Sequence, residues 1–306
     1  MKMFLDSGAF SIWKEFDKSG RVLEGEALWS YVDAYAKYIK SNIKLIDVYV
    51  NVDIPFRPDI TLEVQKYMEK KHKLRPIPVF HPGEPINYLK NYVNKYDYIG
   101  MGGIGAGNIS KQAWMTGTGE RAFEIICDTP KKTPKVKVHG FAMTSPALMM
   151  RYPFFSVDSS SWMQFGKYGL LIVPKKKGKN FVYNESPHIV VVSQRKKARK
   201  DADHFNNLPK IQQNHILEYV KMKGYKFGKS DLEIVPHDRT KCEIPISDTE
   251  VSENEIIIEK GVTNYGPWRD ELNMMFYLDL AKHLPKWPWS WKPKDKFSSF
   301  RLEGDN

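Results

Sequence analysis

Apolar residues recur along the first half of this chain in two alternating rhythms. Short runs rich in β-branched and aromatic residues occupy positions 2–6, 45–53, 77–81, 98–103, 136–141 and 154–158. Between them, apolar residues return at three- and four-residue intervals, the spacing of one helix face. Leu28, Val32, Tyr35, Ala36 and Ile39 predict a helix over 24–41. A second is predicted over 61–73, capped by Asp59 or Thr61, and a third over 85–95 with Leu89, Tyr92 and Val93 on one face. The stretch 110–127 reads as mostly helical, interrupted at Thr116-Gly117-Thr118-Gly119, and 146–151 as a short helix. Strands separated by helices predict a parallel sheet with right-handed crossovers.

A polar residue or a glycine closes most of these strands: Asp6, Asp53, His81, Gly103, His139 and Asp158. Chemical groups recurring after strand upon strand favour an α/β fold of the TIM-like (β/α)8 barrel type, which presents its reactive groups at the C-terminal strand ends. The runs at 170–174 and 188–193 are expected to supply two further strands and close the barrel. Residues 1–193 then form the barrel domain. Residues 194–306 form a mostly helical or irregular basic extension packed on it, with a helical stretch carrying Ile211, Ile216, Leu217 and Val220 and another over 270–284. No repeat of fixed period is present.

Charge changes the picture. The 306 residues carry a formal net charge of +11. A polyanionic partner is one reading, with nucleic acid foremost; plain solubility is the other. Lys175, Lys176 and Lys177 in one basic loop, and Arg195, Lys196, Lys197 and Arg199 in a second, are candidate phosphate contacts or solvated loops. Trp287, Trp289 and Trp291, interleaved with lysines, either stack on unpaired bases or pack on the barrel. The two cysteines, Cys127 and Cys242, are far apart, which argues against a disulfide framework and a cysteine-based zinc site. No apolar run is long enough to span a bilayer, and the opening residues lack a signal-peptide stretch, so a cytoplasmic location is expected.

Among candidate chemical groups, Asp6 and Asp158 come first. Each follows an apolar run and precedes small, loop-forming residues. If they share a pocket, they make a nucleophile and acid/base pair suited to chemistry at a sugar carbon; otherwise each is a turn or capping residue. Ser7 and its neighbours let backbone approach a ligand, and Phe10 offers a face for stacking. Asp53 has the acceptors to read a guanine edge, or is a turn aspartate before Pro55. Gly100-Met101-Gly102-Gly103-Ile104-Gly105 formally matches a dinucleotide-binding pattern but does not lead straight into a helix, so Gly102 and Gly103 either offer backbone to a flat ligand or form a plain flexible loop. His81 and His139 either hydrogen-bond at the pocket or are satisfied histidines with a packing role; no metal-binding histidine spacing is present.

Taken in order, Asp6-Ser7-Gly8-Ala9-Phe10, Asp53-Ile54-Pro55, Val79-Phe80-His81-Pro82-Gly83, Gly102-Gly103-Ile104 and His139-Gly140-Phe141 before Val157-Asp158 resemble the signatures of the tRNA-guanine transglycosylase superfamily. The likeness covers about residues 1–170 and is nearest to the phage and bacterial branch that places 7-deazaguanine in DNA. It implies Asp158 as nucleophile, Asp6 as general acid/base, Phe10 stacked on the base, Asp53 reading it, and Gly102 and Gly103 as pocket floor. It implies DNA and a free 7-deazaguanine base as substrates, with no further cofactor and no metal. The Cys-x-Cys-x-x-Cys zinc site of the tRNA-acting members is absent, the first motif begins at residue 6, and His81 stands where the family has glutamine. An RNA-acting transglycosylase, an inactive nucleic-acid-binding barrel and a glycoside hydrolase are the alternative readings.

Overall fold

The computed structural model describes residues 3–9, 11–12, 23–54, 57–102, 114–193, 204–236 and 251–293. Phe10, Gly103, Arg195, Lys196, Lys197 and Arg199 lie outside the described residues. By internal contacts the chain divides into two compact units, 1–159 with 285–306, and 160–284.

The first unit alternates β1 (Phe4–Leu5), α1 (Gly25–Ser41), β2 (Val48–Tyr49), α2 (Pro58–Lys70), β3 (Val79–Phe80), α3 (Ile86–Lys95), β4 (Tyr98–Met101), α4 (Gly119–Ile126), β5 (Lys137–Gly140), α5 (Pro146–Arg151) and β6 (Ser156–Val157). A π-helical turn, Trp114–Thr118, leads into α4. α1 buries the five apolar residues that its periodicity singles out. At about 1.5–3 kcal/mol per buried large apolar side chain, this stripe does more than propensity to hold the helix. α2 starts earlier than its sequence suggests, because Pro58 suits the first helical turn. Thr61 is buried within that helix; instead of capping, its hydroxyl accepts the Ile54 N–H at 2.9 Å.

All the strand pairs described in this unit are parallel. β1 lies beside β2, and Val50 bridges to Ile77 just before β3. β3, β4, β5 and β6 then form one continuous ladder. Neighbouring strands sit about 4.8 Å apart, so a flat sheet would hold β1 and β5 about 19 Å apart. Yet the Phe4 ring on β1 stacks on His139 of β5 with centroids 4.2 Å apart. The sheet is therefore rolled, with Phe4, Val48, Val50, Ile77, Val79, Tyr98 and Phe141 clustered together. α1 and α2 pack one apolar cluster, and α3, α4 and α5 pack another. Trp291 joins the second cluster, 3 % exposed, its ring 6.0 Å from Phe123 and 6.1 Å from Tyr152. Trp287 donates its indole N–H to the Pro153 carbonyl at 3.1 Å. For Trp287 and Trp291, packing is the reading observed.

The second unit contains α6 (Ser161–Lys167), β7 (Leu170–Val173), β8 (Lys175–Lys177), β9 (Asn180–Val182), β10 (His188–Val191), α7 (Lys210–Met222), β11 (Lys229–Pro236), β12 (Val251–Glu259) and α8 (Gly266–His283). Here the expectation from sequence is corrected. β7 and β10, the runs expected to close a parallel barrel, pair antiparallel with each other. The chain between them forms the β8–β9 hairpin. It has no helix to carry it back across the sheet, as a parallel crossover requires. Buried Asn273 of α8 secures β7, accepting the Ile172 N–H at 2.8 Å and donating to the Leu170 carbonyl at 3.1 Å. Among the described residues the fold is thus mixed α/β with parallel strands in the first unit. No helix among them is long and apolar enough to cross a membrane.

Candidate active site

Strand periodicity explains how the first unit gathers polar groups at one end. Alternate residues share a face, so Phe4 and Asp6, Val79 and His81, and Ser156 and Asp158 form pairs with the reactive member nearer the C-terminal end. Asp6, Asp53, His81, His139 and Asp158 all belong to this unit and are electrostatically connected.

Among the described residues, no cation contributes at Asp6. Its carboxylate accepts backbone N–H groups of Ser7 and Gly8. Its residue is accessible to solvent, but the protein around the carboxyl desolvates it. That desolvation, followed by the negative charges of Asp53 and Asp158, raises its pKa above the ordinary carboxylate value. Buried Ser7 holds the turn, its hydroxyl accepting the Ala9 N–H at 3.3 Å and its carbonyl accepting the Tyr31 hydroxyl. Gly8 has φ +71°, a backbone that L side chains rarely adopt.

Asp158 is held differently. Its side chain is 54 % exposed, and His139 Nε2 lies 3.7 Å from Oδ1, an ion-pair rather than a hydrogen-bond distance. The Ala142 N–H donates to the same oxygen at 2.9 Å. Ala142 has φ 56°, an uncommon conformation for a residue with a side chain, and it aims this N–H. Burial alone would raise the Asp158 pKa, but His139 and the Ala142 N–H outweigh it and lower the value. His139 is itself buried, with Nδ1 2.6 Å from Ser156 Oγ, which in turn lies 2.5 Å from the Tyr98 hydroxyl.

Asp53 has a histidine as well. His81 Nε2 lies 3.0 Å from Asp53 Oδ2, and its Nδ1 lies 3.1 Å from Glu84 Oε1. Burial would lower the His81 pKa, but hydrogen bonds and charge from Asp53 and Glu84 raise it to about 10. The ring is an imidazolium clamped between two carboxylates. Asp53 is fixed from behind as well, since Asn51 donates to the Thr61 carbonyl at 2.9 Å and Ile54 is tied to the Thr61 hydroxyl. Gly102 makes room: a Cβ there would come within 3.0 Å of His81 Cδ2 and 3.1 Å of Nε2.

The structure thus brings together Asp6, Ser7, Asp53, His81, Gly102, His139 and Asp158. It gives the two histidines a supporting geometry. Both His81 nitrogens are engaged with carboxylates, and His139 has one nitrogen on Ser156 and the other toward Asp158. Lys175, Lys176 and Lys177 lie in the other unit, on strand β8 of a hairpin rather than in a loop. Lys176 pairs with Glu218 and Lys177 with Glu185, so two of the three charges already have partners. Sequence reasoning missed Glu84, Tyr98, Ser156 and Ala142. Glu84 follows His81 by three residues, and Ser156 shares a strand face with Asp158; those spacings were the available signals. Among the described residues, no group of three or more His, Cys, Asp or Glu is arranged to hold a metal ion.

Of the three carboxylates two face an imidazole and one does not, an arrangement that can divide acid and base roles between Asp6 and Asp158. Compared with protein-family models, with curated proteins and with solved structures, the chain matches none.

Proposed function

We propose that this protein is a DNA transglycosylase that exchanges guanine for a free 7-deazaguanine base through a covalent aspartyl-deoxyribose intermediate. In this reading β1–β6 are six strands of a TIM-like (β/α)8 barrel. The supporting observation is the unlike surroundings of two carboxyls in one cluster: Asp158 has His139 Nε2 at 3.7 Å and the Ala142 N–H at 2.9 Å, whereas Asp6 faces the charges of Asp53 and Asp158, which push the Asp6 pKa up while that of Asp158 falls. A retaining exchange at a sugar carbon needs that division of roles: one carboxyl holding a proton, the other ionised.

The target guanine first leaves the helical stack, since its glycosidic bond is inaccessible inside a duplex. The Asp158 carboxylate attacks C1′ from the face opposite the base. The C1′–N9 bond breaks, its electron pair goes to N9, and the Asp6 proton neutralises the departing guanine. The sugar is left as an ester of Asp158. A 7-deazaguanine then enters the vacated pocket and gives its N9 proton to Asp6. Its N9 attacks C1′ and releases Asp158, so two inversions give net retention. Base exchange of this kind consumes no electrons and needs no metal. Asp53 has one oxygen held by His81, and its other oxygen is the acceptor for the base edge. His81 and His139 act behind the carboxylates rather than on the base.

The test is mass spectrometry of nucleosides from duplex DNA, and in parallel from tRNA, incubated with the protein and candidate 7-deazaguanine bases. The modified deoxynucleoside should appear in DNA and be lost with Asp158→Ala. Incorporation into tRNA alone would transfer the activity to RNA. Exchange that survives Asp158→Ala would remove the nucleophile and the mechanism with it.

A further inference from the structure

Tyr98, Ser156 and His139 stand in line behind Asp158. The Tyr98 hydroxyl is 2.5 Å from Ser156 Oγ, Ser156 Oγ is 2.6 Å from His139 Nδ1, and His139 Nε2 is 3.7 Å from Asp158 Oδ1. The residues come from three adjacent strands, with His139 in register opposite Ser156. We infer that this chain of contacts is directional, each hydroxyl donating toward the imidazole, so that His139 carries its proton on Nε2 and presents it to Asp158.

The two ends set the direction. An ionised carboxylate only accepts, so the nitrogen facing it must bear the proton. His139 Nε2 is sealed from solvent and has no hydrogen-bond partner within ordinary length, so a bare lone pair there would face the carboxylate at a cost. With the proton on Nε2, Nδ1 becomes an acceptor. Ser156 has one hydroxyl proton and donates it to Nδ1; it then accepts from Tyr98, whose only hydrogen-bond partner among the described residues is Ser156. The reverse direction would leave the Tyr98 proton without an acceptor and the Nε2 lone pair against Asp158. Phe4 stacked on one face of the ring and Phe141 set edge-on at 4.4 Å keep the imidazole from turning away.

Tyr98 and Ser156 are thus positioning residues: they touch no substrate and act through His139 on the ionisation of Asp158. The consequence for catalysis rests on the transglycosylase reading, whereas the tautomer does not.

The primary test is long-range proton–nitrogen NMR of the unmodified protein with labelled histidines, at a pH well above the ordinary histidine value of about 6.5. His139 should show the Nε2–H pattern; an Nδ1–H or doubly protonated pattern would overturn the inference. A second readout follows the Asp158 carboxyl carbon through acid titration. Ser156→Ala and Tyr98→Phe should move its midpoint up toward the ordinary aspartate value, and Ser156→Thr, which keeps a hydroxyl, should leave it in place. A midpoint unmoved in both hydroxyl-deleting variants would also overturn the inference. If base exchange is established, Ser156→Ala should lower kcat about 10- to 100-fold at constant KM. If the unmodified protein exchanges no base, the function proposal fails while the two NMR readouts still decide the tautomer.

Discussion

At the end of β1, Asp6 is bound by two backbone amides and looks onto two other carboxylates. At the end of β6, Asp158 has an imidazole nitrogen 3.7 Å away and an N–H at 2.9 Å on the same oxygen. Burial pushes both carboxyls upward, so burial does not separate them. The difference lies in the second contribution: more negative charge for Asp6, a histidine and an aimed amide for Asp158. The same side chain thereby holds its proton more strongly at one strand end than at the other. Asp53 also faces an imidazole, that of His81, which lies between two carboxylates.

The severest way to break this comparison is to remove its members. Asp158→Ala should reduce base exchange at least about 10⁴-fold and abolish covalent trapping of the sugar. Asp6→Ala should cost about 10²–10⁴-fold, the usual worth of a general acid, with a trapped adduct still detectable by intact mass. Equal effects on trapping would erase the distinction between the two residues.

His81 tests the charge arrangement through stability. Its folded value of about 10 lies above the ordinary 6.5. Its contribution is therefore complete below about 6.5 and lost as pH rises through about 10. His81→Gln would leave buried Glu84 facing Asp53 without a cation, at a cost of about 3–5 kcal/mol near neutral pH. The variant should also lose the alkaline decline in unfolding free energy. A denaturant series from pH 6 to 10 that shows the same slope in both proteins would contradict the imidazolium.

The smallest expected effects have opposite signs. A raised carboxyl favours folding only at low pH, and that contribution is lost as pH rises through the folded value. Asp6→Asn should therefore raise the melting temperature at neutral pH, by a few degrees at most. A lowered carboxyl contributes above its ordinary value and loses this as pH falls through the folded one, so Asp158→Asn should lower the melting temperature at neutral pH by a similar amount. Thermal melts showing both shifts in the same direction would remove the contrast.

Strand periodicity made much of this arrangement legible. Each of the six strands of the first unit falls inside the run that predicted it, and the polar residue closing most runs marks the cluster. The buried stripe of α1 was readable residue by residue. Partner choice was not. An apolar run such as Leu170–Val173 carries no record of strand direction, and its antiparallel pairing with His188–Val191 depends on the hairpin between them. Lys175–Lys177 reads as a solvated loop until Glu218 and Glu185 are found beside it. Strand-end position marked both histidines as hydrogen-bonding groups, but the carboxylates they face come from other segments, which a one-dimensional pattern does not give. Thr61 was misread as a cap for the same reason, its acceptor role depending on a loop folded back over the helix.

The central claim is that Asp6 and Asp158 hold their protons with unequal strength in one cluster. Carbon-detected NMR titration of the aspartate carboxyls, with Asp6→Asn and Asp158→Asn used to assign the two signals, measures this directly. The account predicts a midpoint above the ordinary aspartate value for Asp6 and below it for Asp158. Coincident midpoints, or Asp158 titrating at the higher pH, would contradict it.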